Sequence, residues 1–365
     1  MKYRIDKSDT IPAYLQLYSQ IKKDIVCGIY SFGMKLPSKR LLVEESGVSV
    51  ITVEHCYEIL CEEGYIEPRQ RSGYFVVYKK DDFLSSSDAP DVISIKNKNI
   101  HTTGEVIPFS VLSKTIRKVL LDYGDSILVK SPNHGCYELR AAISSYLARS
   151  NGMTVLPEQI IIGSGAEYLY SLIAQLFGSG SVFGIEFPSY DKIKKVYSAG
   201  GIVTELLKLG NNGIKSEELQ KTKAKVLHIT PFNSFPSGIS ADISKRNEYI
   251  KWAEERGGYI IEDDYSSELT VSMKNEDTVF SLSQNSSVIY MNTFSQTIAP
   301  SVRVGYMVLP KTLIEEFQNK LGFYSCTVPV FEQYVIAELI NSGDFERNIN
   351  RMRRQRRKKN NTETK

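Results

Sequence analysis

From residue 159 onward, short runs rich in β-branched and apolar residues alternate with stretches of helical periodicity. This alternation constrains the fold more than any other feature. The runs cover 159–162, 182–185, 203–207, 226–229, 258–262, 288–290 and 302–309. Strands separated by helix-length connections imply an α/β unit with a mostly parallel sheet covered by helices. At 365 residues the chain is long enough for two or three domains and a sizeable core.

Hydrophobic residues make up 42% and charged residues 24%, the balance of an ordinary globular protein, and the net charge of +3 permits a nucleic-acid partner without requiring one. Five cysteines, odd in number and scattered without a Cys-x-x-Cys, argue against a disulfide framework or a zinc site and for a reducing cytoplasm. Four isolated histidines lack metal-ligand spacing, so no metal is expected. The start of the chain has no signal-peptide apolar run, and no segment is apolar for long enough to span a bilayer. A cytoplasmic protein without a membrane partner is the expectation.

Residues 1–80 have a different character. After Pro12, Tyr14, Leu17, Tyr18, Ile21 and Ile25 recur at helical spacing and predict an amphipathic helix ending near Gly28. Ser38 reads as the N-cap of a second helix running to Glu45, and Ser49 caps a third whose apolar face is Val53, Tyr57 and Leu60. Two helices joined by a short turn at Gly47 form a helix-turn-helix candidate. Residues 65–76 read as two short strands about a turn at Gly73, a wing carrying Arg69 and Arg71. A three-helix unit with a hairpin and solvated arginines would share this periodicity.

The ordered elements Leu36-Pro37-Ser38-x-Arg40, Gly47-Val48-Ser49-x-x-Thr52-Val53, Glu63-Gly64-Tyr65 and Gly73-x-Phe75-Val76 resemble the GntR-type winged helix. The resemblance implies that Arg40, Ser49, Thr52, Arg69 and Arg71 contact double-stranded DNA. Phosphate contacts from the wing and the helix N-termini would position the head without reading sequence. Val50 stands where the family usually has Arg, which removes one polar contact but leaves a side chain able to meet a thymine methyl.

Residues 81–105 are polar and irregular, the composition of a linker. In the region 106–365, several motifs follow the strand-like runs, where open α/β sheets bind ligands. Gly163-Ser164-Gly165-Ala166 precedes a helical stretch and can present backbone N–H groups to a phosphate, although a tight βα turn reads equally well. Tyr190 follows a proline turn and can be a ring-stacking residue or core. Asp263 and Tyr265 lie at a strand end, as ligand groups or as caps of a solvated turn. The stretch 292–306 contains Ser295, Gln296, Arg303, Gly305 and Tyr306.

In this order the motifs resemble fold-type-I pyridoxal-phosphate (PLP) enzymes of the aminotransferase-like fold. With the head, they resemble the MocR or GabR type of GntR-superfamily regulator. The resemblance implies that Asp263 pairs with the pyridine nitrogen, Tyr265 bonds the ring hydroxyl and Tyr190 stacks on the ring. Ser164, Gly165, Ser295 and Arg303 would hold the phosphate. Three departures accompany it. Gln296 replaces the lysine whose amine tethers the coenzyme, and a carboxamide nitrogen cannot form that bond. Residues 130–135 replace a Tyr-Gly pair that reaches the partner subunit's phosphate. The chain ends after a basic run at 347–359, read as a solvated helix end or tail, so the C-terminal small domain of the family is expected to be largely absent.

The expected function is that of a homodimeric DNA-binding transcriptional regulator without catalytic residues. Its body would dimerise and sense PLP, held non-covalently if bound, or a small amino compound. The alternatives are a PLP-dependent aminotransferase with a DNA-binding appendage, with Lys130 supplying the amine, and a truncated, decaying regulator.

Overall fold

The computed structural model describes residues 3–6, 11–69, 72–79, 106–270, 277–283 and 287–363, the last five by backbone alone. The chain divides into two compact units, Met1–Ile100 and His101–Lys365. The linker expected at 81–105 lies outside the described residues.

In the first unit, α1 (Ala13–Val26) begins directly after Pro12 and buries Leu17, Tyr18, Ile21 and Ile25. α2 (Lys39–Ser46) opens on Ser38, whose Oγ accepts a hydrogen bond from the Leu41 amide at 3.2 Å. It stops at Gly47, whose φ of +70° suits a residue without a Cβ. Ser49 then caps α3 (Val50–Glu62), with its Oγ accepting from the Thr52 amide at 3.2 Å. Val53, Tyr57 and Leu60 face the core as their spacing predicts, joined by Cys56. Full burial of one such apolar side chain contributes about 1.5–3 kcal/mol. The wing strands β1 (Ile66–Arg69) and β2 (Gly73–Val76) pair antiparallel, Ile66 opposite Val76 and Arg69 opposite Gly73.

The second unit begins with α4 (Phe109–Tyr123), a 3-10 turn (Gly124–Leu128) and α5 (Tyr137–Asn151). The alternating elements are β3 (Ile160–Gly163), α6 (Ala166–Phe177), β4 (Val182–Phe187), α7 (Asp191–Ala199), β5 (Val203–Gly210), β6 (Gly213–Ile214), α8 (Ser216–Lys221), β7 (Val226–Ile229), α9 (Ile243–Arg256), β8 (Tyr259–Asp263), α10 (Val279–Leu282), β9 (Val288–Thr293) and β10 (Gly305–Val308). α11 (Lys311–Leu321), α12 (Val330–Asn341) and α13 (Asp344–Glu363) follow.

The strands form one sheet in the order β3-β10-β9-β8-β7-β4-β5-β6. The central strands β9, β8, β7, β4 and β5 run parallel, while β10 pairs antiparallel with both β9 and β3. Successive strand residues point to opposite faces, so each strand feeds two cores. Ile160, Ile162, Ile260, Tyr290 and Val308 pack on one face with α5, α9 and α12. Ile161, Ile261, Met291 and Met307 pack on the other with α6, α7 and α11. The result is three layers, helix–sheet–helix.

Two expectations need correction. The run 302–309 yields a strand only at Gly305–Val308, because the residues before it belong to a loop in which the Phe294 amide bonds the Val304 carbonyl at 2.9 Å. The basic run at 347–359 is not simply a solvated tail. It lies in α13, where Phe345, Ile349 and Met352 are buried and Asn348 donates to the Thr297 carbonyl at 2.6 Å.

Candidate functional site

In the second unit, a cavity of about 370 Å³ opens at the C-terminal ends of the parallel strands, a size within the usual range for small-molecule pockets. Tyr190, Asp263, Tyr265, Ser295, Gln296 and Arg303 all line it. Sequence elements more than a hundred residues apart therefore meet because strand ends share one edge of the sheet.

Asp263, the last residue of β8, forms the buried floor. It accepts a hydrogen bond from the Tyr170 hydroxyl of α6. His228 of β7 brings Nε2 to 3.6 Å from the Asp263 carboxylate, beyond hydrogen-bond reach, while its Nδ1 is 2.8 Å from the Tyr197 hydroxyl. His228 Nε2 is buried without a hydrogen-bond partner among the described residues. Burial first, and then the Asp263 charge, push the Tyr170 and Tyr197 phenols well above their usual range, so both remain neutral.

Tyr190 is 39% exposed at the start of α7, with its ring edge-on to Phe235 at 6.4 Å between centroids. That placement removes the alternative of a core tyrosine. The Tyr265 hydroxyl donates to the Asn233 carbonyl at 2.6 Å. Asn233 holds a φ of +54°, uncommon for a residue with a side chain.

At the opposite end, Arg303 donates to the Glu167 carboxylate at 2.6 Å. Gly165 makes this approach possible, since a Cβ there would come within 3.0 Å of the guanidinium. Ser295 lines the cavity but donates its hydroxyl to the Val302 carbonyl at 2.8 Å. Ser164 and Gly165 do not line the cavity. The Ser164 hydroxyl accepts from Thr327 at 3.0 Å, and the residues of the α6 start that reach the cavity are Ala166 and Glu167.

Glu167 was not anticipated from the sequence. Its carboxylate bridges Arg303 and Lys192, the latter at 2.8 Å. The Lys192 hydrogen bond, helped by a backbone hydrogen bond and then the Arg303 charge, outweighs partial burial and holds the Glu167 carboxyl below the usual range, while the Glu167 hydrogen bond raises Lys192. An acid in the first turn of a helix was visible as a dipole partner. Its pairing with a residue 136 positions away was not.

The cavity fits a pyridoxal-phosphate ring at one end, where a buried carboxylate faces inward. At the other end, Arg303 lies over a helix N-terminus whose glycine leaves room for it. Gln296 lines the cavity beside Ser295, and none of the described lining residues is a lysine; the Lys192 amine is bonded to the lining Glu167. Lys130 is not among the lining residues either, and lies exposed beyond the 3-10 turn.

In the first unit, Arg40, Ser49 and Val50 are exposed around the α2–α3 turn, with Thr52 half-buried. Ser49 and Thr52 share a hydroxyl–hydroxyl bond of 2.8 Å. Arg69 is bonded to Glu67 at 2.8 Å and stacks over Phe75 at 4.4 Å. Gly73 turns the wing at a φ of +106°. Arg71 lies outside the described residues.

Comparison with known proteins agrees with both units. Residues 13–76 match the family "Bacterial regulatory proteins, gntR family", and residues 97–364 match "Aminotransferase class I and II". The chain is 34% identical over 97% of its length to the HTH-type transcriptional regulator YdeL of Bacillus subtilis, covering 79% of that protein. It is 26% identical to the probable rhizopine catabolism regulatory protein MocR of Rhizobium meliloti, over 96% of this chain and 76% of that protein. Among solved structures it resembles the kynurenine aminotransferase of Pyrococcus horikoshii, with a TM-score of 0.62 and 26% identity over 68% of this chain. The chain spans 64% of that structure's length, less than two thirds.

Proposed function

Because this chain belongs to the HTH-type transcriptional regulators of the GntR and MocR type, in which a gntR head precedes an aminotransferase class I and II body, we propose that it binds operator DNA through α2, α3 and the wing and uses the body cavity to sense a PLP-type ligand held without a covalent bond. One observation carries this reading: Asp263, Gln296 and Arg303 converge on one cavity, with a carboxamide where the tether would be.

When bound, the coenzyme supplies an aldehyde able to condense with amines and an electron-withdrawing ring. Within the cavity, Asp263 would pair with the ring nitrogen, with Tyr170 fixing the carboxylate. Tyr190 would lie against the ring face, and Tyr265 would exchange the Asn233 carbonyl for the ring oxygen. Arg303 and Ser295, with the Ala166 amide at the helix start, would meet the phosphate. Gln296 cannot take up or release a proton at neutral pH, so it would orient the ligand without shuttling a proton.

The body would pair with a second copy, since Phe109, Leu121 and Leu128 of α4 and the 3-10 turn are each at least 80% exposed. Phe109 and Leu121 share one shallow hollow on α4, apolar surface that a second copy would cover. Among the described residues no helix is long and apolar enough to cross a membrane, consistent with work on DNA in the cytoplasm.

DNA protection upstream of neighbouring genes, repeated with and without PLP, tests the proposal. A protected site whose occupancy responds to PLP is expected. No protected site would end the regulator reading, and a PLP-insensitive site would end the sensing part.

A further inference from the structure

The face that the head turns outward at the start of α3 is unexpectedly apolar. Val50 is 48% exposed and Ile51 is 76% exposed, although both are β-branched residues in a unit that buries Val53, Cys56 and Leu60 completely. Leu41 of α2, across the turn, is 45% exposed.

The polar groups around them are committed elsewhere. Ser49 spends its oxygen on the Thr52 amide and its second contact on the Thr52 hydroxyl. Lys39 is bonded to Glu54 at 2.8 Å. The outward side chains at the helix start are thus two aliphatic groups flanked by the exposed Arg40.

We propose that Val50 and Ile51 are specificity-determining residues that read thymine C5-methyl groups in the major groove. The proposal rests on the head's assignment as a DNA reader. In that geometry the N-terminal residues of the second helix of the motif lie against base edges, and position 51 is the second residue of α3. The thymine methyl is the one apolar group that a base edge offers there. A second protein chain would not need the flanking Arg40 or the capped helix start beside the apolar pair, so the nucleic-acid groove is the occupant favoured.

The test uses the full chain and its own operator, located by DNA protection. Each thymine of a half-site is replaced in turn by deoxyuridine, which keeps every hydrogen-bonding group and deletes only the methyl. Affinity is read by fluorescence anisotropy for the wild type, V50A and I51A.

At one or two positions the wild type should lose about fourfold in affinity per contacted methyl, the equivalent of burying one such group. I51A should bind thymine-containing DNA more weakly and show no further loss on the deoxyuridine site, the non-additivity expected of a direct contact. Thermal melting should be unchanged, because the side chain is exposed.

Methyl deletion without effect at every position would overturn the proposal, as would an I51A protein that still loses the same factor. A change in oligomeric state with DNA affinity unaltered would assign the pair to a protein contact instead. Wild-type binding to the operator with no methyl dependence defeats this inference alone, whereas absence of any operator defeats the DNA-binding reading beneath it.

Discussion

On the proposed reading, Gln296 limits what the body can do. Replacing it with lysine places an amine among the residues that surround the cavity. Q296K treated with PLP and borohydride should carry an adduct on the peptide containing position 296, while the wild type shows none there. Peptide mapping by mass spectrometry reads the outcome, and an adduct at wild-type position 296, or none in the variant, would contradict the assignment of this loop. That Asp263, Tyr265 and Arg303 line one cavity was expected from the resemblance of their motifs to PLP enzymes, whereas strand-end position alone left Asp263 and Tyr265 equally readable as caps of a turn. The Glu167–Arg303–Lys192 bridge was not, because it depends on how three separate elements meet. That bridge bears on ligand choice: E167Q should strengthen PLP binding several-fold more than binding of unphosphorylated pyridoxal. The gain is modest because Arg303 is 55% exposed and water screens the pair. Equal effects on the two ligands, measured by calorimetry, would separate Arg303 from the phosphate.

At the level of elements, the head followed its sequence closely, because caps and turn glycines are local signals. Ser38 and Ser49 cap the helices they were expected to cap. S49A should therefore lower the stability of the head by about 1 kcal/mol, visible as an earlier thermal transition with little change in the body. An unchanged transition would mean that the cap bond contributes nothing. The alternation of strands and helices was equally readable in the body, but pairing direction was not. β10 is inserted antiparallel between β3 and β9, and nothing in a four-residue run encodes direction. β6 has only two residues, too few for a period to register. In α13, the 345, 349, 352 spacing of apolar residues was a helical signal, but the surrounding positive charges made the run look solvated.

For the whole molecule, buried acids link stability to pH. Burial pushes Glu186 up to about 7 and Glu268 up to about 8, from an ordinary value of 4.5. The folded state therefore keeps protons that the unfolded chain releases, so stability is highest at low pH within this window and falls as pH rises from about 5 to about 8. E268Q, neutral throughout, should flatten that fall, and melting temperatures across the same range check it. A wild-type melting temperature that rises over the window would contradict the sign. Pairing through the exposed apolar side chains of α4 predicts a dimer by light scattering, and L121E should shift it toward monomer. The central claim is that one chain couples a groove-reading head to a tether-free PLP cavity. Its most direct test is operator affinity by anisotropy, titrated with PLP, in the wild type and R303A. The account predicts a PLP-dependent shift in Kd for the wild type that R303A loses while still binding the operator. An operator affinity indifferent to PLP, or a shift that R303A retains in full, would contradict it.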